Sequence, residues 1–449
     1  MNALSTSPIT RASLVAALGG LLFGFDTVVI SGAEQSIQAL WQLSPAMHGV
    51  AIGAALYGTV LGSLLGAWPT DRYGRRATLL WIGGLYLVSA IWSGLATDVY
   101  TFALARAIGG LAIGISTITA PLYIAEIAPP ERRGRLTALF QFNIVLGILA
   151  AFLSNYLIGK YLEPSVAWRW MLAIEALPAF AYTVLCFHVP ESPRWLLVSR
   201  GNREASAKVL RSLQPSVKES QITAQIDTIL ATSPAPAETP RFWTWKMRAP
   251  ITLAILVAFF NQLSGINAVL YFAPRIFEMT GLGEKAALLQ SAGIGVSNLV
   301  FTFVGLWLID RLGRRTLLYV GSFGYLLTLG LTSWAFFTEN LVIVPACIFA
   351  FIAAHAIGQG TVIWVLISEV FSNRHRAGGQ ALGSFTHWFF AALLTSVFPS
   401  MVAAVQPAYV FLFFFGMMLL HLVWVMLMVP ETNGVPLEEL QRRLVSESS

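Results

Sequence analysis

Three ionisable residues stand inside apolar runs: Asp26 in ALGGLLFGFDTVVISGA (17–33), Arg106 in FALARAIGG and Glu175 in MLAIEALP. A charge inside such a run costs about 2.5–3.5 kcal/mol if the run crosses a bilayer, so it usually has a partner and a role. An aspartate and an arginine can pair. When the pair opens, a proton can take the place of the guanidinium. That competition for one carboxylate couples proton movement to a change of shape. The plainer alternative is a static ion pair that holds helices together.

A second set is uncharged. The stretch NQLSGINAVLYF (261–272) carries Asn261, Gln262, Asn267 and Tyr271, and other apolar runs add Gln141, Asn298, Trp364, His387 and Trp388. Amides both donate and accept hydrogen bonds, and aromatic faces stack on the C–H face of a pyranose. The set suits a neutral, polyhydroxylated ligand, because a charged one would need a countercharge. Taken singly, an amide is better explained as a contact between helices, worth about 0.6 kcal/mol; taken as a set, they are better explained as ligand contacts. His387 adds a side-chain type that titrates near neutral pH.

A third set lies in short polar turns. DRYGRR supplies Asp71, Arg72 and Arg75, and DRLGRR supplies Asp310, Arg311 and Arg314. Glu126 with Arg133, and Glu369 with Arg376, add opposite charges at the same face, as does Glu191 of PES. Ion pairs among them would hold two halves of the molecule together while that face is closed. The alternative is that the arginines only set topology.

The elements that position these residues follow from composition. Of 449 residues, 56% are hydrophobic and only 11% charged, against roughly 25% charged in a soluble domain. The chain reads as an integral membrane protein. Its +6 charge comes from basic clusters between apolar runs, which fits the positive-inside rule rather than nucleic-acid binding. Cys186 and Cys347 lie in apolar runs and read as packed thiols. The apolar run after Arg11 reads as a first span rather than a secretory signal.

Twelve candidate spans lie near 12–33, 48–68, 77–97, 99–125, 136–158, 168–189, 250–273, 286–309, 316–337, 341–370, 378–404 and 408–429. The arginine-rich loops follow even-numbered spans, which places them and both termini in the cytoplasm. Asp26, Arg106 and Glu175 then share a depth roughly 10 Å below the outer face, at 1.5 Å per helical residue. The division expected is 1–189, a cytoplasmic linker 190–249, and 250–449. Within the linker, WLLVSRGNREASAKVLRSL (195–213) reads as short amphipathic helices or a solvated tether, and SPAPAETP (233–240) as a Pro-rich connector. Gly109, Gly110 and Gly114 permit close helix packing, and GQGT at Gly358 is a candidate break in the tenth span. The spans hold no metal cluster, nucleophile–base pair or cofactor loop, so neither enzyme nor cofactor is expected.

The halves repeat. Asp71 and Asp310 are 239 apart, Glu126 and Glu369 243, Pro190 and Pro430 240, and Gly24 and Gly265 241. Six spans repeated in one orientation give an all-α fold of two parallel six-helix halves. In this order and spacing, DRYGRR, PLYIAEIAPPERRGRL, PESPRWL, NQLSGINAVLYF, DRLGRR and PETNG resemble the sugar porter family of the major facilitator superfamily, from about Gly19 to Glu439.

The resemblance implies monosaccharide transport by alternating access, in a cell membrane and with a monomer as the functional unit. It places sugar contacts on Gln141, Gln262, Asn267, Tyr271, Asn298, Trp364 and Trp388. It also implies proton coupling at Asp26, Arg106 and Glu175, so the expected partners are a monosaccharide, protons and the bilayer. Some residues depart from the family pattern. Asn261 stands where Gln is usual, His387 where Asn or Gln is usual, Thr361 for Pro, Ala67 for Gly and Asn433 for Lys. Ile148 replaces a Gln contact of proton-linked pentose symporters. The competing readings are an uncoupled sugar facilitator and a sugar-sensing receptor; the short tail after Pro430 argues against the receptor.

Overall fold

The structure, a computed structural model, describes residues 7–232, 242–372, 375–435 and 439–440. Among them twelve helical segments are long and apolar enough to cross a membrane: Pro8–Gly32, Pro45–Leu65, Arg75–Leu95, Val99–Ile127, Arg132–Tyr161, Pro164–Cys186, Arg248–Tyr271, Glu284–Leu312, Arg314–Phe337, Leu341–Val370, Arg376–Ala404 and Pro407–Met428. We number these spans 1 to 12. Local chemistry sets several starts. Ser7 and Ser44 accept from the backbone N–H of Thr10 and Met47, with proline opening the helix that follows each of them. Asp98 accepts from the N–H groups of Tyr100 and Thr101. Such caps satisfy donors that have no partner within the helix.

Three spans are broken where the polar residues lie. Span 6 is interrupted at Ile174–Glu175. Span 10 breaks at Gly358, between Val344–Ile357 and Gln359–Val370, where GQGT suggested it. There the Thr361 hydroxyl donates to the Ala356 carbonyl at 2.6 Å, occupying a carbonyl at the interruption. Span 7 breaks after Leu263 and resumes at Ile266, with Gly265 at φ +88°. A side chain there would be strained and would also meet the ring of Phe414.

The halves meet along span 2 against span 11 and span 5 against span 8. Tyr57 and Ser396 hydroxyls bond at 2.9 Å across the first contact, and Gly295 lies against Leu149 in the second. Spans 1 and 7 approach each other at the end of the bundle opposite the arginine turns.

Part of the linker is helical: Pro193–Val198, Arg203–Leu213 and Glu219–Thr232. Leu197, Ala207, Leu210, Ile222 and Ile226 form its small core. It docks on the first arginine turn, where Trp195 Nε1 donates to the Asp71 carbonyl at 2.8 Å and Arg200 to that of Arg72 at 3.2 Å. These helices therefore pack as part of the N-terminal half rather than as a tether. The connector 233–240 lies outside the described residues.

Candidate transport site

Asp26 and Arg106 meet in the N-terminal half. Arg106 Nη1 donates to Asp26 Oδ1 at 2.5 Å, and Nη2 to the Asp26 backbone carbonyl at 2.9 Å. Both side chains are 1% exposed, which makes this a desolvated pair. Glu175, on the interruption of span 6, is also buried and interacts electrostatically with both. Glycine creates the room: a Cβ on Gly109 would press on the Ser89 hydroxyl and touch Asp26. The Tyr86 hydroxyl lies in the field of all three charged groups. Asp26 Oδ2, Glu175 Oε1 and the Tyr86 and Tyr271 hydroxyls have no hydrogen-bond partner among the described residues. Two carboxyls and one guanidinium reach charge balance with a single added proton.

The amides gather in the C-terminal half. Gln262 Nε2 donates to Asn261 Oδ1 at 2.9 Å and approaches the two ring nitrogens of His387 at 3.1 and 3.2 Å. Asn267 Nδ2 donates to Gln262 Oε1 at 2.7 Å. His387 lies between two indoles, 4.7 Å from Trp388 and 5.2 Å from Trp364, ring centre to ring centre. Trp388 reaches Phe23 of the other half at 5.4 Å, edge to face. Gln141 and Asn298 stand on spans 5 and 8, and among the described residues no hydrogen bond ties either to this cluster. Tyr271 is placed differently from the other members: its buried ring lies in the field of Arg106 and Asp26, across the boundary between halves.

The arginine turns correct an expectation. Arg75 makes a two-pronged bond to Glu126, Nε to Oε2 and Nη2 to Oε1, both at 2.9 Å, and reaches Asp71 at 3.1 Å. Arg314 repeats this with Glu369 at 3.1 and 2.8 Å and with Asp310 at 3.3 Å. Glu126 does not pair with Arg133, nor Glu369 with Arg376. Arg133 is exposed, and Arg376 Nε donates to the Ser368 carbonyl. The reason is helix geometry: each glutamate ends its span facing the turn beside it. Among the described residues no ion pair joins the halves at this face. The Arg72 carbonyl holds Arg200, and the Arg311 guanidinium stacks on Trp307 at 4.0 Å.

Glu191 is a helix cap, accepting from the N–H of Arg75 at 2.9 Å and of Arg76 at 3.2 Å. Burial pushes its carboxyl above the usual value, against the pull of the backbone donors of Ser192, Arg76 and Arg75. Glu431 caps the other turn in the same way, accepting from Arg314 and Arg315. Gly74, at φ +100°, makes the approach possible, since a Cβ there would strike the Glu191 carboxylate. The sequence reading missed Glu431 and Tyr86. It also missed the pair Glu34–Arg275, at 2.6 Å. Its signal was present: the two are 241 apart, the spacing of Gly24 and Gly265.

Comparison with known proteins agrees with this architecture. The chain is 34% identical over 452 residues to the arabinose-proton symporter of Bacillus subtilis, covering 97% of each chain. It is 32% identical over 475 residues to the D-xylose-proton symporter of Escherichia coli K12, covering 97% of this chain and 96% of the other. The inward-open structure of the Escherichia coli xylose transporter matches with a TM-score of 0.85 at 30% identity, covering 97% of this chain and 99% of that one. The same transporter, a major facilitator superfamily proton:xylose symporter, bound to 6-bromo-6-deoxy-D-glucose gives 0.77 at 31% identity over the same shares. The family model described as "Sugar (and other) transporter" matches residues 12–444, and the chain belongs to that family.

Proposed function

We propose that this protein carries a monosaccharide and a proton together across a cell membrane by alternating access. The observation that bears most on this is the placement of Tyr271. It belongs to the amide-bearing span, yet it lies in the field of the Asp26–Arg106 pair of the other half. Asp26, Arg106 and Glu175 act as the proton site. Gln262, Asn267, Asn261, His387, Trp364 and Trp388, with Gln141 and Asn298 from the facing spans, contact the sugar. The arginine turns lie in the cytoplasm with both termini, as the positive-inside rule requires. Residues 1–189, with the linker helices of 193–232 docked on them, and 250–449 are the moving bodies, the rest of 190–249 links them, and one copy suffices. Arg75–Glu126 and Arg314–Glu369 lie within single halves, so they hold together the arginine-turn end of each half.

The cycle follows from charge. With Arg106 on Asp26 the carboxylate is satisfied without a proton. When span 1 and span 4 shift within the N-terminal half so that Arg106 withdraws, a proton replaces it. The test uses purified protein in proteoliposomes and labelled glucose, galactose, xylose, arabinose and inositol, with and without an inward proton gradient. One sugar accumulating above its outside level only when the gradient is present supports the proposal. Equilibration that ignores the gradient makes the protein a facilitator, with Asp26 only a partner for Arg106.

A further inference from the structure

At the end of the bundle opposite the arginine turns, four side chains from both halves form one closed knot. Arg275 Nε donates to Glu34 Oε1 at 2.9 Å and Nη2 to Glu34 Oε2 at 2.6 Å, a two-pronged pair between the halves. Arg275 Nη2 also donates to Gln38 Oε1 at 2.6 Å. His48 Nε2 lies 2.7 Å from Glu34 Oε2. Glu34 and His48 are fully buried, and the arginine side chain is 21% exposed.

Position in the repeat explains why these two residues meet. Glu34 and Arg275 are 241 apart, as are Gly24 and Gly265, and Asp26 and Asn267. They are therefore the same site in the two repeats, and they face each other across the axis that relates the halves. Like charges at equivalent sites would repel, whereas an acid in one repeat and a base in the other attract. Each also lies about two helical turns beyond a functional residue of its own half: Glu34 beyond Asp26, Arg275 beyond Asn267.

We infer that Glu34 and Arg275, seated by His48 and Gln38, are the lock that closes the far end of the molecule, set over the proton site and the amide site together. Opening that end to admit sugar must part this pair and wet all four groups at once. The lock favours the conformation seen here, in which the far end is shut and, among the described residues, the arginine turns carry no ion pair between halves. It governs how often the site faces outward, whereas Asp26 governs whether the movement is coupled to protons. The inference rests on alternating access but not on coupling.

The experiment measures the distance between spin labels at Leu40→Cys and Val342→Cys in the full chain. Both positions are exposed, and the native Cys186 and Cys347 are buried. One label then reports the far end of each half. In the parent the short-distance population dominates. Glu34→Gln and Arg275→Gln each raise the ratio of long to short by about tenfold, the equivalent of about 1.4 kcal/mol. The exchange Glu34→Arg/Arg275→Glu returns the ratio toward that of the parent, because a neutral His48 ring nitrogen can accept from a guanidinium there. Sugar counterflow by each variant checks that it is folded. Unchanged distances in both single variants overturn the lock. A shift in the single variants that the exchange leaves in place overturns the pairing across the axis. Failure of proton coupling would appear instead as gradient-independent uptake by the wild type, with these distances unaffected.

Discussion

The two halves share a chain path but differ in what they bury. At the position where the first span of one repeat has Asp26, the other has Asn267, 241 residues on. The N-terminal half surrounds its acid with Arg106, Glu175 and the Tyr86 hydroxyl. The C-terminal half fills comparable depth with neutral donors and acceptors. Gln359 Nε2 bonds His421 Nε2 at 2.7 Å, His421 Nδ1 lies 2.9 Å from the Ser322 hydroxyl, and Tyr325 bonds His355 at 2.7 Å. Tyr325 is the repeat of Tyr86, 239 residues on. One architecture thus buries an ion pair in one half and a neutral hydrogen-bonded network in the other. Duplication supplies the frame, and divergence at a few buried positions assigns the work.

The difference is most exposed by breaking one member on each side. Arg106→Met leaves two carboxyls buried without a cation and should destabilise by about 3–5 kcal/mol. His421→Leu in the neutral half leaves only uncharged groups unpaired, for about 1–3 kcal/mol. Thermal unfolding in detergent ranks the two. The double variant Asp26→Asn/Arg106→Met should recover much of the first loss. Equal costs would mean that the halves do not differ in this way.

Gln262→Ala sharpens the division of labour. It removes the side chain that joins Asn261, Asn267 and His387. Sugar binding should weaken by about 2 kcal/mol, roughly thirtyfold, while whatever transport remains still responds to the proton gradient. Binding and uptake on the same preparation check both parts.

A smaller contrast lies in the arginine turns. The Arg75–Glu126 side chains are 8% and 7% exposed, against 10% and 28% for Arg314–Glu369. Lysine cannot reproduce the two-pronged bond. Arg75→Lys should cost about 2 kcal/mol, and Arg314→Lys about 1 kcal/mol because solvent screens its partner. The smallest effect is one of pH. Burial raises the Glu191 carboxyl above 4.5. Between 4.5 and the raised value the folded chain holds a proton that the unfolded chain has lost. This group's contribution therefore falls as pH rises through that window and grows on acidification. Unfolding of wild type and Glu191→Gln across this range should differ in slope, with the variant flatter.

The frame was legible in the sequence because it rests on runs and repeats. Apolar length marks spans, and arginine turns recurring at one spacing mark halves. Depth counting brought Asp26, Arg106 and Glu175 to one level, and the structure brings them together. Pairing was harder to read. Glu126 finds Arg75 rather than Arg133 because rotation about the helix axis decides which side chain faces the turn, and spacing alone does not encode that. The break at Gly265 was hidden because its positive φ, shared by five of the other 36 glycines, is a property of the folded backbone and not of the residue type. Glu34–Arg275 needed one more inference: residues at equivalent repeat positions can face each other across the axis.

The measurement that tests the central claim most directly compares wild type with Asp26→Asn in proteoliposomes, reading gradient-driven accumulation and sugar counterflow on the same preparation. Wild type should do both. Asp26→Asn should lose accumulation while retaining counterflow, because the proposed sugar contacts other than Gln141 lie in the other half. If Asp26→Asn still accumulates sugar against its gradient, the proton is carried elsewhere and the assignment of Asp26 is wrong.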